Sequence, residues 1–335
     1  MRMSRDGLWS WWLALAVCLG AAWWASIPVK EHSADKVAVV NLDLSRIGNI
    51  DLSAQEMAVT GSRRQDLTGR WWIDIKRKAA PQVANVPPAD LPALQERFMA
   101  SAKFDEMLAL FSPFQALRVI GKPAANQLKE FGLDNSTKTL VVKDLTGAVL
   151  LSLKIGKQLY GSRNVYVMDQ ADQTVMLIAG DFVTDFEKPE LRVYERAITR
   201  LPMEEIQAVS VTAGGKIRKF SHLKRDSKSA LLWTPEEGNG APVASAASWF
   251  ERFDHLKAAT YATAEEQARL SNTAALFEVA LTGVGSATEA IQMRKLTKAG
   301  KDEYWLTSSF LGWHVKVAAT RAEALAKDLP QLMGQ

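Results

Sequence analysis

Cysteine is almost absent: the 335-residue chain has one, Cys18. It lies inside an uncharged apolar run, so the rest of the chain can form no internal disulfide and must rest on buried surface. Histidine is scarce as well. His32, His222, His255 and His314 are far apart, and none has a second histidine at helical spacing, so no metal-site pattern is written in the chain. There is no Gly-x-Ser-x-Gly elbow, no Walker loop and no Gly-x-Gly-x-x-Gly between a strand and a helix. Ser-x-x-Lys occurs twice, from Ser33 to Lys36 beside the apolar run and from Ser221 to Lys224 in a predicted strand. Neither opens a buried helix. The carboxylate pairs Glu204-Glu205 and Glu265-Glu266 are sequence neighbours that point in different directions, as residues at helix starts or facing solvent do. A net charge of +4 is too small to argue for nucleic acid. The expectation is a protein that is not an enzyme, with no cofactor, no metal and no nucleic-acid partner. A hydrolase would need Asp, His and Ser gathered from distant positions.

What is present begins with residues 7–29, GLWSWWLALAVCLGAAWWASIPV, which carry no charged side chain. As a helix this run is about 34 Å long, enough for a hydrocarbon core of about 30 Å. Trp9, Trp11 and Trp12 mark one end and Trp23 and Trp24 the other, where indole meets the headgroup zone. The expectation is a transmembrane anchor over residues 7–29, a cytoplasmic tail over 1–6 and a linker over 30–36. Two alternatives stay open. A cleaved signal peptide would use Gly20-Ala21-Ala22, leaving the apolar Trp23-Trp24 near the mature terminus. A lipoprotein would acylate Cys18, behind the bulky Val17. Arg2 and Arg5 favour a cytoplasmic N-terminus and Lys30 and Lys36 nearly balance them. The short tail before a long body argues for an exported body.

The body is 47% hydrophobic and 23% charged over the whole chain, an ordinary globular composition. It reads as one unit written twice, over residues 37–188 and 189–335. Each unit starts with a strand pair, residues 47–52 leading to Trp71-Trp72-Ile73, and residues 206–211 turning at Gly214-Gly215 toward Leu231-Leu232-Trp233. A helix follows. In the first unit Asp90 and Pro92 suit a first turn, and Leu94, Phe98, Met107, Leu108 and Phe111 recur near a helical period. In the second, Trp249, Phe250, Phe253 and Leu256 do so. Meanders of short strands come next, with Leu145-Thr146-Gly147 opposite Leu281-Thr282-Gly283 and Tyr166 opposite Tyr304. Short helices near 181–186 and 321–329 close the units. The expected fold is α+β: a transmembrane helix, then two similar lobes, each a helix packed on a twisted antiparallel sheet.

Phe131-Gly132-Leu133-Asp134-Asn135, then Leu153-Lys154-Ile155-Gly156-Lys157, Tyr166-Val167 and Val175 follow a tryptophan strand at Trp72, with Leu191-Arg192, Ile206 and Val209 later. In this order they resemble the bacterial domain-of-unknown-function family four-three-four-zero, whose members show a tryptophan strand, a helix, an FGL turn, a strand end of the IGK kind and a tyrosine-valine strand. The similarity covers about residues 70–207 well and the remainder loosely. Asn135-Ser136 departs from it, since a proline often follows the turn there. The resemblance implies an exported, N-terminally anchored protein of the bacterial inner membrane with its body in the periplasm. It also implies genes beside ABC-type permeases of the gliding-motility kind and their auxiliary subunits. It carries over no catalytic residue. Read from the residues alone, Gly132 and Gly156 supply backbone freedom and Leu133 and Ile155 enter the core.

One charge feature stands out. Lys216, Arg218, Lys219, Lys224, Arg225 and Lys228 crowd the second unit's first hairpin, and Arg63, Arg64, Arg70, Lys76, Arg77 and Lys78 the first unit's. They read either as a solvated face that discourages edge pairing or as a docking face for an acidic partner or lipid headgroups. The expected role is an anchored accessory or scaffold subunit of a membrane complex, associated with an ABC-type transporter and acting by contact. Its expected partners are membrane lipid around the helix and a permease or auxiliary subunit. The alternative is a binder of an envelope glycan or lipid, held between the lobes by Trp71, Trp72, Trp233, Trp305 and Trp313.

Overall fold

The structure is a computed structural model that describes residues 36–64, 69–78, 94–223, 232–236, 241–298 and 300–334. The expected anchor, with Trp9, Trp11, Trp12, Trp23 and Trp24, lies outside the described residues, as do Lys224, Arg225 and Lys228. No described helix is long and apolar enough to cross a membrane.

Strand β1 (Val37–Val40) pairs with β6 (Phe114–Ala116) in a small separate sheet. The first large sheet is built from two antiparallel meanders. β2 (Ile47–Ala54), β3 (Met57–Arg63), β4 (Trp71–Arg77) and β5 (Leu94–Met99) form one. β8 (Thr139–Asp144), β9 (Val149–Gln158), β10 (Val165–Asp169) and β11 (Val175–Ile178) form the other. Between the meanders come α1 (Lys103–Ala109), β7 (Arg118–Gly121) and α2 (Ala125–Glu130). α3 (Gly180–Glu187) and α4 (Pro189–Arg192) follow, so the expected division at 188/189 falls between these two helices. The strand order is β5-β4-β3-β2-β8-β9-β10-β11-β7. Alternate residues Leu140, Val142, Leu151, Leu153 and Ile155 enter the core, as period two requires of a sheet with one solvated face. The rings of Phe104, Phe111, Phe114, Phe182 and Phe186 pack over that apolar face.

The second lobe repeats the plan. β12 (Ile206–Ala213), β13 (Lys216–Leu223) and β14 (Leu232–Pro235) precede α5 (Ala244–Asp254), β15 (Thr260–Tyr261) and α6 (Ala264–Ser271). β16 (Ala275–Gly283), β17 (Thr288–Lys298), β18 (Lys301–Ser308), β19 (Val315–Val317) and α7 (Ala319–Leu332) complete it. Its order is β14-β13-β12-β16-β17-β18-β19-β15, the first sheet's order without β5. Gly214 and Gly215 both take positive φ at the β12–β13 turn, a conformation that suits the twist of a two-residue hairpin. α5 lies on α7, where Trp249 Nε1 donates to the Leu325 carbonyl at 3.0 Å and Arg252 pairs with Asp328.

The chain departs from expectation in three places. The expected helix of the first unit is only α1, and residues 94–99 are strand β5. A spacing of four residues is even, so Leu94 and Phe98 fit one side of a strand as well as one face of a helix. Phe98 then pairs with Ile73, and both are buried. Neither unit opens with a simple strand pair: β1 to β5 precede α1 in the first, and β12 to β14 precede α5 in the second. β3 was hidden because its sequence, MAVTGSR, is small and polar with a glycine inside. Finally, the ladders reset the equivalences. Ile47 pairs with Asp144 and Ile206 with Gly283, so Asp144, not Gly147, corresponds to Gly283. Tyr166 pairs with Leu177 and Trp305 with Lys316, which sets Tyr166 against Trp305 instead of Tyr304. The β9–β10 connection is longer than the β17–β18 one, so local sequence likeness can slip against the hydrogen-bonded register.

The lobes join edge to edge through the linker after α4. Ser101 N–H donates to the Val193 carbonyl at 2.7 Å and Glu195 N–H to Met99 at 3.0 Å. On the other side, Ala258 N–H donates to the Arg196 carbonyl at 2.9 Å. The linker therefore bridges β5 of the first lobe to the segment leading into β15 of the second, satisfying backbone groups on both edges.

Candidate functional site

Two places gather residues of functional interest: the family-like signature in the first lobe and the seam between lobes. The signature assembles on the sheet face opposite the main core. Leu133, Met168 and Val175 are buried there beneath α2, with Ile120, Leu128, Phe131 and Tyr166 against them. Phe131 stacks on Tyr166 with centroids 4.4 Å apart. Gly156 lets the turn approach the strand. A Cβ there would collide with the Phe131 carbonyl oxygen, and Lys157 N–H donates to that same oxygen at 2.8 Å. Gly132 takes φ +67° under the Lys157 side chain. The signature is thus a packing device that clamps a turn onto a strand.

Beside it, a cavity of about 200 Å³ is lined by Lys138, Gly156, Gln158, Arg163, Gly180 and Glu187, among others, all in the first lobe. Its ionic groups are internally matched: Lys138 pairs with Glu187, and Arg163 lies 3.8 Å from Asp181.

The seam is built from the β4–β5 edge, the linker and the β18–β19 loop. Adjacent residues on a strand face opposite ways. Trp71 enters the first lobe's core against Phe104, with centroids 5.1 Å apart. Trp72 lies on the other side of the sheet with Asp74 and is nevertheless fully buried, because the second lobe covers it. Its ring meets Tyr261 at 5.8 Å and Trp313 at 5.7 Å. Tyr194 of the linker stacks on Phe98 at 4.6 Å and meets Tyr261 at 5.4 Å. The two phenols are anchored across the seam, Tyr194 Oη on the Ala259 carbonyl at 3.2 Å and Tyr261 Oη on the Glu195 carbonyl at 3.1 Å. Burial pushes Tyr194 up to about 12 and raises Tyr261 further, so both stay protonated donors.

Arginines line these rings. Arg97 lies over Trp72 at 5.3 Å and Trp313 at 5.6 Å, with Asp74 3.6 Å away. Arg64 lies over Trp72 as well. Arg70 and Arg200 both lie over the Phe310 ring, at 4.4 and 5.1 Å, so they are no further apart than those distances laid end to end. Each such stack contributes about 0.5–2 kcal/mol. Among the described residues neither guanidinium pairs with a carboxylate; Arg70 donates to the Met99 sulfur at 3.5 Å. The Glu289 carboxylate instead accepts from Thr199 Oγ1 at 2.6 Å and from the backbone N–H of Arg200. Two like charges at such a separation repel by roughly 0.5–2 kcal/mol unless a counter-charge arrives.

Among the described residues the basic hairpins do not present one face. Arg218 bonds the Leu332 carbonyl at the end of α7, stacks on Phe220 at 5.3 Å and shares a strand side with Lys216. That is where a cation complements a helix C-terminus. Lys219 lies on the opposite side, 3.9 Å from Glu236. In the first lobe Arg77 holds Glu190 at 2.9 and 3.0 Å, and Arg63 is tied to the Gly69 and Ser45 carbonyls. Of that set Arg64 and Arg70 meet seam rings. Arg97, Arg200 and Phe310 were not singled out in the sequence, where nothing marks them as neighbours.

The five tryptophans considered for ligand stacking serve mainly as packing. Trp71, Trp72, Trp233 and Trp305 are buried, and Trp313 is half-buried with Nε1 on the Ala262 carbonyl. Ser221 lies in strand β13, paired with Thr234. Glu266 caps α6 reciprocally with Thr263. Among the described residues no group of three or more His, Cys, Asp or Glu is placed to hold a metal ion.

Fold and site together define a tandem α+β protein whose aromatic and cationic residues meet where its halves join. The family described as a domain of unknown function (DUF4340) matches residues 99–273, and the chain belongs to it. The match contains the FGL turn, the IGK strand end and the tyrosine-valine strand; the Trp72 strand precedes it. No curated protein and no solved structure matches the chain.

Proposed function

We propose that this chain is a membrane-anchored, extracytoplasmic accessory or scaffold subunit of a membrane complex of the ABC-transporter kind, acting by protein contact. In this reading residues 7–29 hold it in the inner membrane by the Trp9–Trp12 and Trp23–Trp24 clusters, and the two lobes stand in the periplasm. The observation that carries the proposal is the use of the chain's distinctive residues. The signature glycines and aromatics clamp a turn to a strand, and the linker ties two like sheets into one body by backbone hydrogen bonds. A tandem body joined in this way suits a contact scaffold. Exposed Arg200 and half-buried Arg70, Arg97 and Trp313 supply residue types enriched where proteins dock.

The second reading, an envelope glycan or lipid binder, would place its ligand between the lobes. That seam is occupied by Trp72, Tyr194, Tyr261 and Trp313 packed on one another, which favours the contact reading. Purification of the intact chain at native expression in mild detergent tests the proposal. A stoichiometric membrane partner is expected; a lone monomer overturns it.

A further inference from the structure

The seam carries a charge arrangement that packing does not explain. Arg70 from the first lobe and Arg200 from the linker converge on Phe310 from the second, and neither has a carboxylate partner among the described residues. Arg97 adds a third guanidinium held between Trp72 and Trp313, and its Nε is buried with no hydrogen-bond partner. Asp74 offsets Arg97 only at 3.6 Å, and Glu289 is turned onto Thr199 and the Arg200 backbone. A guanidinium lying on a ring is oriented by it, and its N–H edge is presented outward in a fixed plane. Such an edge matches a carboxylate through two parallel hydrogen bonds. Two of them on one ring match carboxylates spaced along an extended acidic segment.

We propose that Arg70 and Arg200, oriented by Phe310 and supported by Arg97, form a docking site for an acidic, Asp/Glu-rich segment of a partner protein. This rests on the contact-subunit reading and names the surface it uses. An acidic protein segment is preferred to a lipid surface because the cations are interleaved with aromatic rings in a confined seam, whereas headgroup binding favours mobile lysines spread over a face. The site also needs both lobes, so it reports that they are docked.

Binding of a fluorescent hexaglutamate peptide to the full chain in detergent micelles is the test, run beside inorganic phosphate and phosphatidylglycerol vesicles. The peptide is expected to bind, and to weaken as salt rises. Arg200→Glu, whose side chain is exposed, is expected to weaken it at least tenfold, and Arg70→Gln several-fold. Arg200→Lys is expected to fall between wild type and Arg200→Glu, because it keeps the charge and loses the planar fork. Lys219→Glu, on the far hairpin, should leave binding unchanged. Thermal melting confirms that each variant is folded. Equal loss in Lys219→Glu, no loss in Arg200→Glu, or vesicle binding that depends on Arg200 while peptide does not bind would each overturn the site. If the membrane partner is still retained by Arg200→Glu while the peptide does not bind to wild type, the site fails and the contact-subunit reading survives. Loss of any partner from wild type is the opposite case.

Discussion

The two lobes share a strand order and differ wherever one of them has a neighbour. By ladder register, Trp71 and Trp233 occupy the same place, and both are buried in their lobe's core. The next residue breaks the likeness. Trp72 meets Tyr261 and Trp313 of the second lobe, whereas its counterpart Thr234 bonds the Ser221 carbonyl of its own sheet. One residue on, Ile73 corresponds to Pro235, which has no N–H to offer at the terminal strand β14. A proline there discourages the head-to-tail addition that the shared geometry would otherwise invite. On the opposite sheet face, Gly156 corresponds to Arg294 and Val175 to His314. The first lobe is apolar and clamped by backbone contact. The second adds polar bonds beside its own apolar cluster of Ala262, Leu270 and Trp305, with Arg294 Nε on the Thr273 carbonyl at 2.9 Å and His314 Nδ1 on Gln267 Oε1 at 2.8 Å. The shared strand order gives both lobes one frame, and the contacts each lobe makes set which positions are alike.

The comparison can be broken most strongly at Trp72. Trp72→Thr gives the first lobe the second lobe's residue and empties the seam. It should cost about 3–5 kcal/mol. Denaturant unfolding followed by lobe-specific probes should then show two transitions where wild type shows one.

His314 sharpens the contrast through pH. Burial, with Arg294 nearby, lowers its pKa from 6.5 to about 4. The folded state therefore keeps it neutral. Its contribution is full above about pH 6.5, where neither state is protonated. Below that the unfolded chain takes up a proton that the folded chain refuses, and stability falls until the folded histidine protonates near pH 4. The loss should reach up to about 3 kcal/mol. His314→Val, the first lobe's residue, should flatten the melting temperature across this window; an unchanged slope would assign it to other groups.

Gly156→Ala is the next smaller effect. The added carbon meets the Phe131 carbonyl, so a loss of about 1–3 kcal/mol is expected. Hydrogen exchange should rise at Leu133 and Lys157 before it rises elsewhere. The smallest is Thr263→Ala at the start of α6, where losing the cap should lower stability by about 1 kcal/mol in the second lobe alone. Thermal melting reads it.

Much of each lobe was legible because its signals are local. Gly214-Gly215 marked a hairpin, and Trp249, Phe250 and Phe253 kept one helical face. Leu151, Leu153 and Ile155 alternated as a half-buried strand must. Legibility failed where two periods coincide, as at Leu94 and Phe98, and where a strand is small and polar, as in β3. The candidate site was less legible still. Arg64 and Arg70 stood out as part of a basic cluster, but Arg200 and Phe310 lie in different segments and acquire meaning only beside Arg70.

By itself the chain's order of residues determined its repeated α+β units, their apolar faces and the turn that carries the family signature, since each depends on neighbours a few positions apart. Only the tertiary structure decided that Trp72 faces another lobe, that Arg218 serves a helix end, and that two guanidiniums share one phenyl ring. Those outcomes depend on which edges meet, and an edge is satisfied by whatever backbone reaches it, here the linker at residues 193–196.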